Sequence, residues 1–268
     1  MGILDLFFPK YCVNCKKIGD FLCSDCFSRL SFDTKNICLV CGNPSYDGLT
    51  HPGCIGRYTI DGSFTGVVFN SISKKLIYQF KYKPHLSSLS SFLGELLYES
   101  LIQDEEFNKI LHSLPPKAGR QNDMVLVPIP LSSKRYKKRG YNQAEILAKE
   151  LSKKFGFPVF NCLIRIKETR TQVGLSKKDR KKNVEDVFAI ARGPVSLHPR
   201  PTSSPDAPTA GARRGSPALT TPRFSLEGKN VILVDDVLTT GATMSEASSI
   251  LKRNGAAKVW AIAFAKEQ

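Results

Sequence analysis

Short apolar runs alternate along the chain with longer segments whose apolar residues fall at helical spacing. Val231 to Val234 is a run of four apolar, mostly β-branched residues, the pattern of a strand covered on both faces in a parallel sheet. Ser63 to Asn70, Met124 to Ile129 and Lys258 to Phe264 read as further strands, the second closed by Pro128-Ile129-Pro130. Ile72, Leu76, Ile77 and Phe80 share one face of a helix, and a longer amphipathic helix is expected from about Leu86 to Leu101. Ala144, Leu147, Ala148 and Leu151 mark another, and a helix from Thr243 to about Arg253 stops at Asn254-Gly255. The segment Asp104 to Asp123 is polar, holds Pro115, Pro116 and Gly119, and predicts a loop. This order of strands and helices predicts an α/β domain over residues 61–268, with a mostly parallel sheet flanked by helices.

Chemistry concentrates after the run at Val231 to Val234. Asp235 and Asp236 follow it directly, and Thr239, Thr240, Gly241, Ala242 and Thr243 form a turn before the next helix. Open α/β sheets bind ligands in the crevice at the carboxyl ends of their strands. The turn offers three hydroxyls, a glycine that lets backbone approach a ligand, and the unpaired N–H groups of a helix start, a good holder for a phosphate dianion. A plainer reading has Asp236 end the strand and Thr239 or Thr240 cap the helix. Capping needs one residue, whereas this segment supplies two acids, a glycine and three threonines in one order. A sugar-phosphate cradle uses them all.

The first sixty residues differ from the rest. Cys12 and Cys15, Cys23 and Cys26, and Cys38 and Cys41 form three C-x2-C knuckles, and His51 with Cys54 adds an H-x2-C pair. Thiolates at this spacing fit tetrahedral zinc. Sequence order groups Cys12, Cys15, Cys23 and Cys26 in one site and Cys38, Cys41, His51 and Cys54 in another. An interleaved grouping, first knuckle with third, stays open, as does one zinc rather than two if His51 is an ordinary loop histidine. The metal would be structural, since so small and polar a segment cannot bury enough surface to fold alone. Cys162, in the apolar run Cys162-Leu163-Ile164, is expected to be a packed core residue.

The 268 residues suffice for a sizeable core, and no run of eighteen apolar residues spans a membrane. Ile3 to Phe8 is interrupted by Asp5 and lacks a basic leader or a cleavage site, which speaks against a signal peptide. The expectation is a cytoplasmic protein, with peripheral contact at the inner face of the membrane left open. The net charge of +15 is uneven: Met124 to Arg192 holds 17 Lys plus Arg against 6 Asp plus Glu, while the residues before Asp61 hold 6 against 5. That surplus exceeds the need of one small phosphorylated ligand and would suit a nucleic-acid backbone, although charge runs are as often a solvated face. Gly193 to Phe224 holds seven of the sixteen prolines, four Arg and no Lys, a composition that predicts a disordered surface insert without catalytic duty.

The two acids followed by TTGAT resemble the phosphoribosyl-pyrophosphate (PRPP) loop of the type I phosphoribosyltransferases. That resemblance implies that Asp235 and Asp236 contact the ribose hydroxyls and that Thr239 to Thr243 bind the 5′-phosphate. Together with the VPIP strand end, the RGYNQ segment and the later Arg170-Thr171-Gln172 with Leu175, Arg180, Asn183 and Phe188, the chain resembles the ComF family over nearly its whole length. Members carry an N-terminal cysteine finger, then VPVP, RGFNQ, an R-T-x-x-Q-x-x-L hood and a DDV-TTGAT loop in that order. Two departures stand out. The hood reads R-T-Q-V-G-L, shorter than the family spacing, and the last finger pair is Cys54 with Arg57, which leaves the fourth ligand of the later site to His51.

The family implies a phosphoribosyltransferase-type fold with a zinc finger, Mg²⁺ accompanying PRPP, and a role in natural transformation on incoming single-stranded DNA, in company with competence-machinery proteins. Lys134, Arg135 and Arg139, with Arg170 from the hood, are the candidates for pyrophosphate. Lys134 to Arg139 and Lys177 to Lys182, interleaved with Tyr136 and Tyr141, are the candidates for DNA. No residue pattern identifies an acceptor or a catalytic group, so two other functions remain: a true phosphoribosyltransferase acting on a small nitrogenous acceptor, and a PRPP-sensing zinc-finger interaction protein.

Overall fold

The computed structural model describes residues 10–82, 87–113, 123–167, 186–191 and 225–267. The Pro-rich segment 193–224, Arg170 and the cluster Lys177 to Lys182 lie outside them. The N-terminal segment carries a short helix α1 (Ser24–Phe27) and one 3-10 turn (Pro52–Cys54). After it come β1 (Gly62–Val68), α2 (Ser71–Tyr82), α3 (Ser87–Gln103), α4 (Glu105–Ser113), β2 (Met124–Pro128), α5 (Ser133–Arg139) and α6 (Gln143–Phe155). A two-stranded hairpin, β3 (Leu163–Arg165) against β4 (Phe188–Ile190), precedes β5 (Asn230–Leu238), α7 (Ala242–Arg253) and β6 (Lys258–Lys266). No helix among the described residues is long and apolar enough to cross a membrane.

The central sheet has the order β1-β6-β5-β2, and all its pairings are parallel. Successive side chains of a strand point to opposite faces, so the near-continuous apolar runs feed two cores at once. Leu126, Ile232, Val234, Ile262 and Phe264 pack into one, with α2, α3, α4 and α6. Val125, Val127, Val231, Leu233, Ala261 and Ala263 pack into the other, with α7 and the hairpin. Cys162 is buried in the second core, as its apolar surroundings suggested, and burial pushes its thiol up to about 12.

Both edges of the sheet are covered. The N-terminal segment lies along β1: the N–H of Val68 donates to Ser31 O at 2.8 Å, that of Ser63 to Gly48 O at 2.8 Å, and Thr34 Oγ1 donates to Thr65 O at 3.3 Å. At the other edge, Leu126 N–H donates to Pro158 O and Phe160 N–H to Leu126 O, at 2.9 and 2.8 Å. These contacts occupy ladder groups that would otherwise template pairing with another chain.

The expectation of a loop over Asp104 to Asp123 fails in its first half, where α4 forms. Asp104 Oδ1 accepts the N–H of Phe107 at 2.9 Å, an N-cap that the polar composition disguised. Glu105 and Glu106 then favour the positive end of the helix. Phe107 itself is 0 % exposed and packs edge-on against Phe64 at 5.1 Å. Phe107→Ala is therefore expected to cost about 3–5 kcal/mol of stability by chemical denaturation. A loss below about 1 kcal/mol, the size of a surface effect, would show that α4 is not part of the core.

Candidate functional site

Two metal-ligand sets form in the N-terminal segment. The donor atoms of Cys12, Cys15, Cys23 and Cys26 lie within 4.8 Å of one another, and so do those of Cys38, Cys41, His51 and Cys54. The structure thus forms the sequence-order grouping, not the interleaved one. Cys15 Sγ and Cys23 Sγ are 3.5 Å apart, and Cys41 Sγ and His51 Nδ1 are 3.4 Å apart. A tetrahedral ion with Zn–S of about 2.3 Å and Zn–N of about 2.0 Å requires donor spacings of about 3.5–3.8 Å, so both sets fit zinc.

The surroundings of the donors match that chemistry. His51 turns Nδ1 to the thiols, and its Nε2 lies 3.0 Å from Pro44 O, an outer hydrogen bond that fixes the ring orientation of a ligating imidazole. Asn14 Nδ2 donates to Cys26 Sγ at 3.3 Å, and Lys75 Nζ on α2 in turn donates to Asn14 Oδ1 at 2.8 Å. Burial works to raise the Cys12 thiol, but backbone N–H groups of Cys15, Cys23 and Asn14 outweigh it and bring it down to about 6. Cys38 comes down to about 7 against the same burial, through N–H groups of Cys41, His51 and Val40. Cys54 is pushed up to about 11 by burial and by the thiols of Cys41 and Cys38, a repulsion that a divalent cation among them removes.

At the far end of the sheet, β5 does not stop at Val234. It continues to Leu238, because β6 runs alongside and pairs Asp235 with Ala263 and Leu238 with Lys266. The two acids therefore sit inside a paired strand, and their backbone is rigid. Asp236 is only 8 % exposed, and its Oδ1 meets Lys81 Nζ, from the last turn of α2, at 3.0 Å. Its N–H donates to Asp235 Oδ1 at 2.8 Å. Burial, and then the charge of Asp236, push the Asp235 carboxyl up to about 7 against the opposing pull of that N–H, Lys81 and Arg165.

Beyond Leu238 the turn leads into α7. Its N-cap is neither Thr239 nor Thr240 but Gly241, at φ +73°, which has no side chain to offer the first-turn N–H groups. Thr240 Oγ1 and Ser245 Oγ are buried with no hydrogen-bond partner among the described residues. Buried hydroxyls left in this state are costly unless a polar group meets them. Gly241 is also boxed in from outside: a Cβ there would lie 2.5 Å from Leu39 Cδ2, in the knuckle Cys38-Leu39-Val40-Cys41. Leu39, between two ligands of the second set, thus packs directly on the turn.

Of the basic candidates, Arg139 reaches the acids' surroundings. Its Nη1 donates to Gln143 Oε1 at 2.8 Å, and Gln143 Nε2 is buried with no partner among the described residues. Tyr141 donates its hydroxyl to Phe80 O. Burial raises that hydroxyl's pKa, the neighbouring Gln143 side chain and the charge of Arg139 oppose the rise, and Asp236 adds to it. Arg139, Gln143, Tyr141, Lys81 and Asp236 thus form one electrostatic group. Lys134 is exposed on the first turn of α5, and Arg135 is half-buried with its N–H capped by Ser132 Oγ at 3.4 Å. Sequence reasoning missed Lys81, Gln143 and Leu39. Gln143 belonged to the RGYNQ segment and could have been found there, whereas nothing near Lys81 or Leu39 in the sequence announces a partner so distant.

Comparison with known proteins agrees with this arrangement. The double zinc ribbon domain family matches residues 3–55, and the phosphoribosyl transferase domain family matches residues 137–268. Competence protein F of Haemophilus influenzae is 31% identical over 262 residues, spanning 94% of this chain and 89% of that protein. Competence protein ComFC of Bacillus subtilis is 27% identical over 248 residues, spanning 90% and 82%. The DNA utilization protein YhgH of Escherichia coli is 26% identical over 268 residues, spanning 95% and 96%. Fold and site define a phosphoribosyltransferase-type α/β protein that carries an N-terminal double zinc ribbon with structural zinc. The chain belongs to the ComF family.

Two predictions follow from the geometry of these sites. Elemental analysis should find two zinc ions per chain, one for each ligand set, and His51→Ala should retain only one. A folded ribbon free of metal would refute the assignment. The second concerns Asp235, whose carboxyl is raised in the folded state from its ordinary 3.8 to about 7. The native protein then holds this proton more tightly than the unfolded chain, so stability due to this group falls as pH rises through that window. Asp235→Asn keeps an acceptor for the Asp236 N–H and removes the half-buried charge. It should stabilise the protein by about 1–4 kcal/mol at pH 8, with the gain vanishing toward pH 4. An unchanged or lower melting temperature at pH 8 would contradict the raised carboxyl.

Proposed function

We propose that this chain binds PRPP with Mg²⁺ at the junction of β5 and α7, and that it serves in the handling of incoming single-stranded DNA during natural transformation. The observation that carries the first part is the acid pair fixed within β5 beside the turn into α7, where Thr240 Oγ1 in the turn and Ser245 Oγ in the helix's first turn are buried without a partner among the described residues. The second part draws on relatives named for competence and DNA utilization and on the cationic surplus between Met124 and Arg192. In this reading Asp235 and Asp236 accept hydrogen bonds from the ribose hydroxyls. Thr239, Thr240, Gly241, Ala242 and Thr243 enclose the 5′-phosphate with hydroxyls and helix-start N–H groups. Arg139, with Lys134 and Arg135 on the same helix, faces the pyrophosphate, and Arg170 is the candidate from outside the described residues.

Lys81 gives this site a definite electrostatic order. It neutralises Asp236 before any ligand arrives, so the pair of acids presents one compensated carboxylate and one that holds its proton near neutral pH. Ribose hydroxyls stabilise the ionised form of Asp235 by donating to it, and binding therefore releases a proton. Mg²⁺ supplies neutralisation of the pyrophosphate when bound. A phosphoribosyl transfer would use the same residues for positioning and charge neutralisation around ribose C1 and needs only an acceptor in addition. Turnover of PRPP on adding a free nitrogenous base separates that reading from binding alone.

Calorimetry with PRPP and Mg²⁺ tests the site. The variant carrying Asp235→Asn and Asp236→Asn should keep its circular dichroism spectrum and its zinc while losing about a hundredfold or more in affinity, as expected from two charge-assisted hydrogen-bond acceptors. In the wild type, affinity should strengthen between pH 6 and pH 8 as Asp235 ionises more readily. Undiminished PRPP affinity in the double variant would remove these acids from the site.

A further inference from the structure

The exposed face of α2, next to the acid pair, carries two aromatic rings that neither the fold nor the PRPP site uses. Tyr78 and Tyr82 stand one helical turn apart with ring centroids 4.8 Å from each other, and they are 62 % and 42 % exposed. The opposite face of the same helix, with Ile72, Leu76, Ile77 and Phe80, supplies all its core contacts. The tyrosines meet the cationic helix instead: Lys138 Nζ and Arg139 Cζ each lie 5.6 Å from the Tyr82 centroid. Five of the seven residues of α5 are Lys or Arg, none is acidic, and three of them crowd its last turn. The surface therefore joins flat π faces to concentrated positive charge.

We propose that Tyr78 and Tyr82, with Lys138 and the exposed side of α5, form the surface on which this protein holds single-stranded DNA. Bases stack on the two rings while the lysines follow the phosphates. Single strands suit this chemistry because each unpaired base exposes a π face, whereas a duplex hides its faces in the stack. The positive charge already placed over Tyr82 keeps its ring plane facing the α5 side and deepens the site's attraction for a polyanion. The proposal rests on the reading that the protein handles single-stranded DNA and specifies where. Of the aromatic residues expected from the sequence, Tyr141 is tied to Phe80 O, so its hydroxyl and ring serve the fold, and α2 supplies a platform beside the helix that carries Tyr136.

Fluorescence anisotropy with labelled oligothymidine, titrated against salt, tests the surface on the full chain. The wild type should bind the single strand more tightly than the matching duplex. Tyr78→Ala and Tyr82→Ala should each weaken binding by roughly fivefold to a hundredfold, the range for loss of one stacked base, with the salt dependence unchanged. Lys138→Glu should instead flatten the log-log salt slope by about 0.7 or more, as for lost phosphate contacts. Tyr82→Phe should retain binding, because the ring and not the hydroxyl does the stacking. Each variant should bind PRPP as the wild type does in parallel calorimetry. Wild-type binding with no loss in the two tyrosine variants, equal affinity for duplex, or equal loss in Tyr82→Phe and Tyr82→Ala would overturn the surface alone. Absence of any DNA binding by the wild type at low salt would overturn the DNA-handling reading and this surface with it, and would leave the PRPP site standing.

Discussion

Two carboxylates inside a paired, buried strand need compensation, and much of the architecture around β5 supplies it. A buried ionised acid without a partner would cost several kcal/mol. Lys81 meets one of these acids, and the other is left with a carboxyl that ionises only near neutrality. Lys81 can reach Asp236 because α2 follows β1 directly and packs its apolar face on the same side of the sheet as Ile232 and Val234. Parallel pairing makes Asp235 and Asp236 rigid, and under the proposed function acceptors held in place would not need to reorganise when ribose hydroxyls arrive. On that proposal the protein tolerates a destabilised acid at the position where a ligand would relieve it, a usual trade between stability and function.

The zinc ribbons are bound into the same frame. Val13, Phe21, Leu22 and Leu30, around the first ligand set, belong to one core of the α/β part, while Leu39, inside the second, belongs to the other. The ribbon segment thus feeds both faces of the sheet and also covers the free edge of β1. A segment this small gains local order from metal and the remainder of its stability from docking. Leu39 makes the docking consequential, because its methyls fill the space beside Gly241 where any larger residue would place its Cβ. Glycine at that point satisfies two demands at once: a left-handed backbone and the close approach of a neighbouring side chain. The conformation of the turn before α7 is therefore supported from outside by a residue flanked by zinc ligands.

The strands were readable because a parallel sheet covered on both faces demands continuous apolar runs, and Val231 to Val234 or Lys258 to Phe264 have no other good use. The acid-threonine-glycine order was readable because the chemistry is local to one turn. Local reading failed wherever a boundary depends on a neighbour. β5 outruns its apolar residues since pairing with β6, and not side-chain character, extends it through Asp235 to Leu238. α4 hid behind Pro115 and Pro116 because its core contribution is limited mainly to Phe107 and Ile110, too few for a visible period. The knuckle spacing permitted two groupings of the cysteines, and only three-dimensional proximity chose between them. Lys81 and Leu39 act across long stretches of chain, and no window of sequence contains both partners.

The end of α2 shows how these long-range contacts combine. The last carbonyls of a helix lack intrahelical partners, and here Tyr141 donates to that of Phe80, while the two rings also meet edge-on at 6.5 Å. Tyr141 lies just after α5, so this contact joins the helix that carries Lys81 to the helix that carries Arg139. Lys81 turns inward to Asp236, Tyr82 turns outward beneath Lys138 and Arg139, and Phe80 anchors the turn between them. Three successive residues therefore address three environments: core, acid site and cationic surface. A displacement of α2 along its axis would alter all three together. Because packed helices shift between discrete arrangements more readily than they deform, this single helical turn physically connects the acid pair to the tyrosine platform.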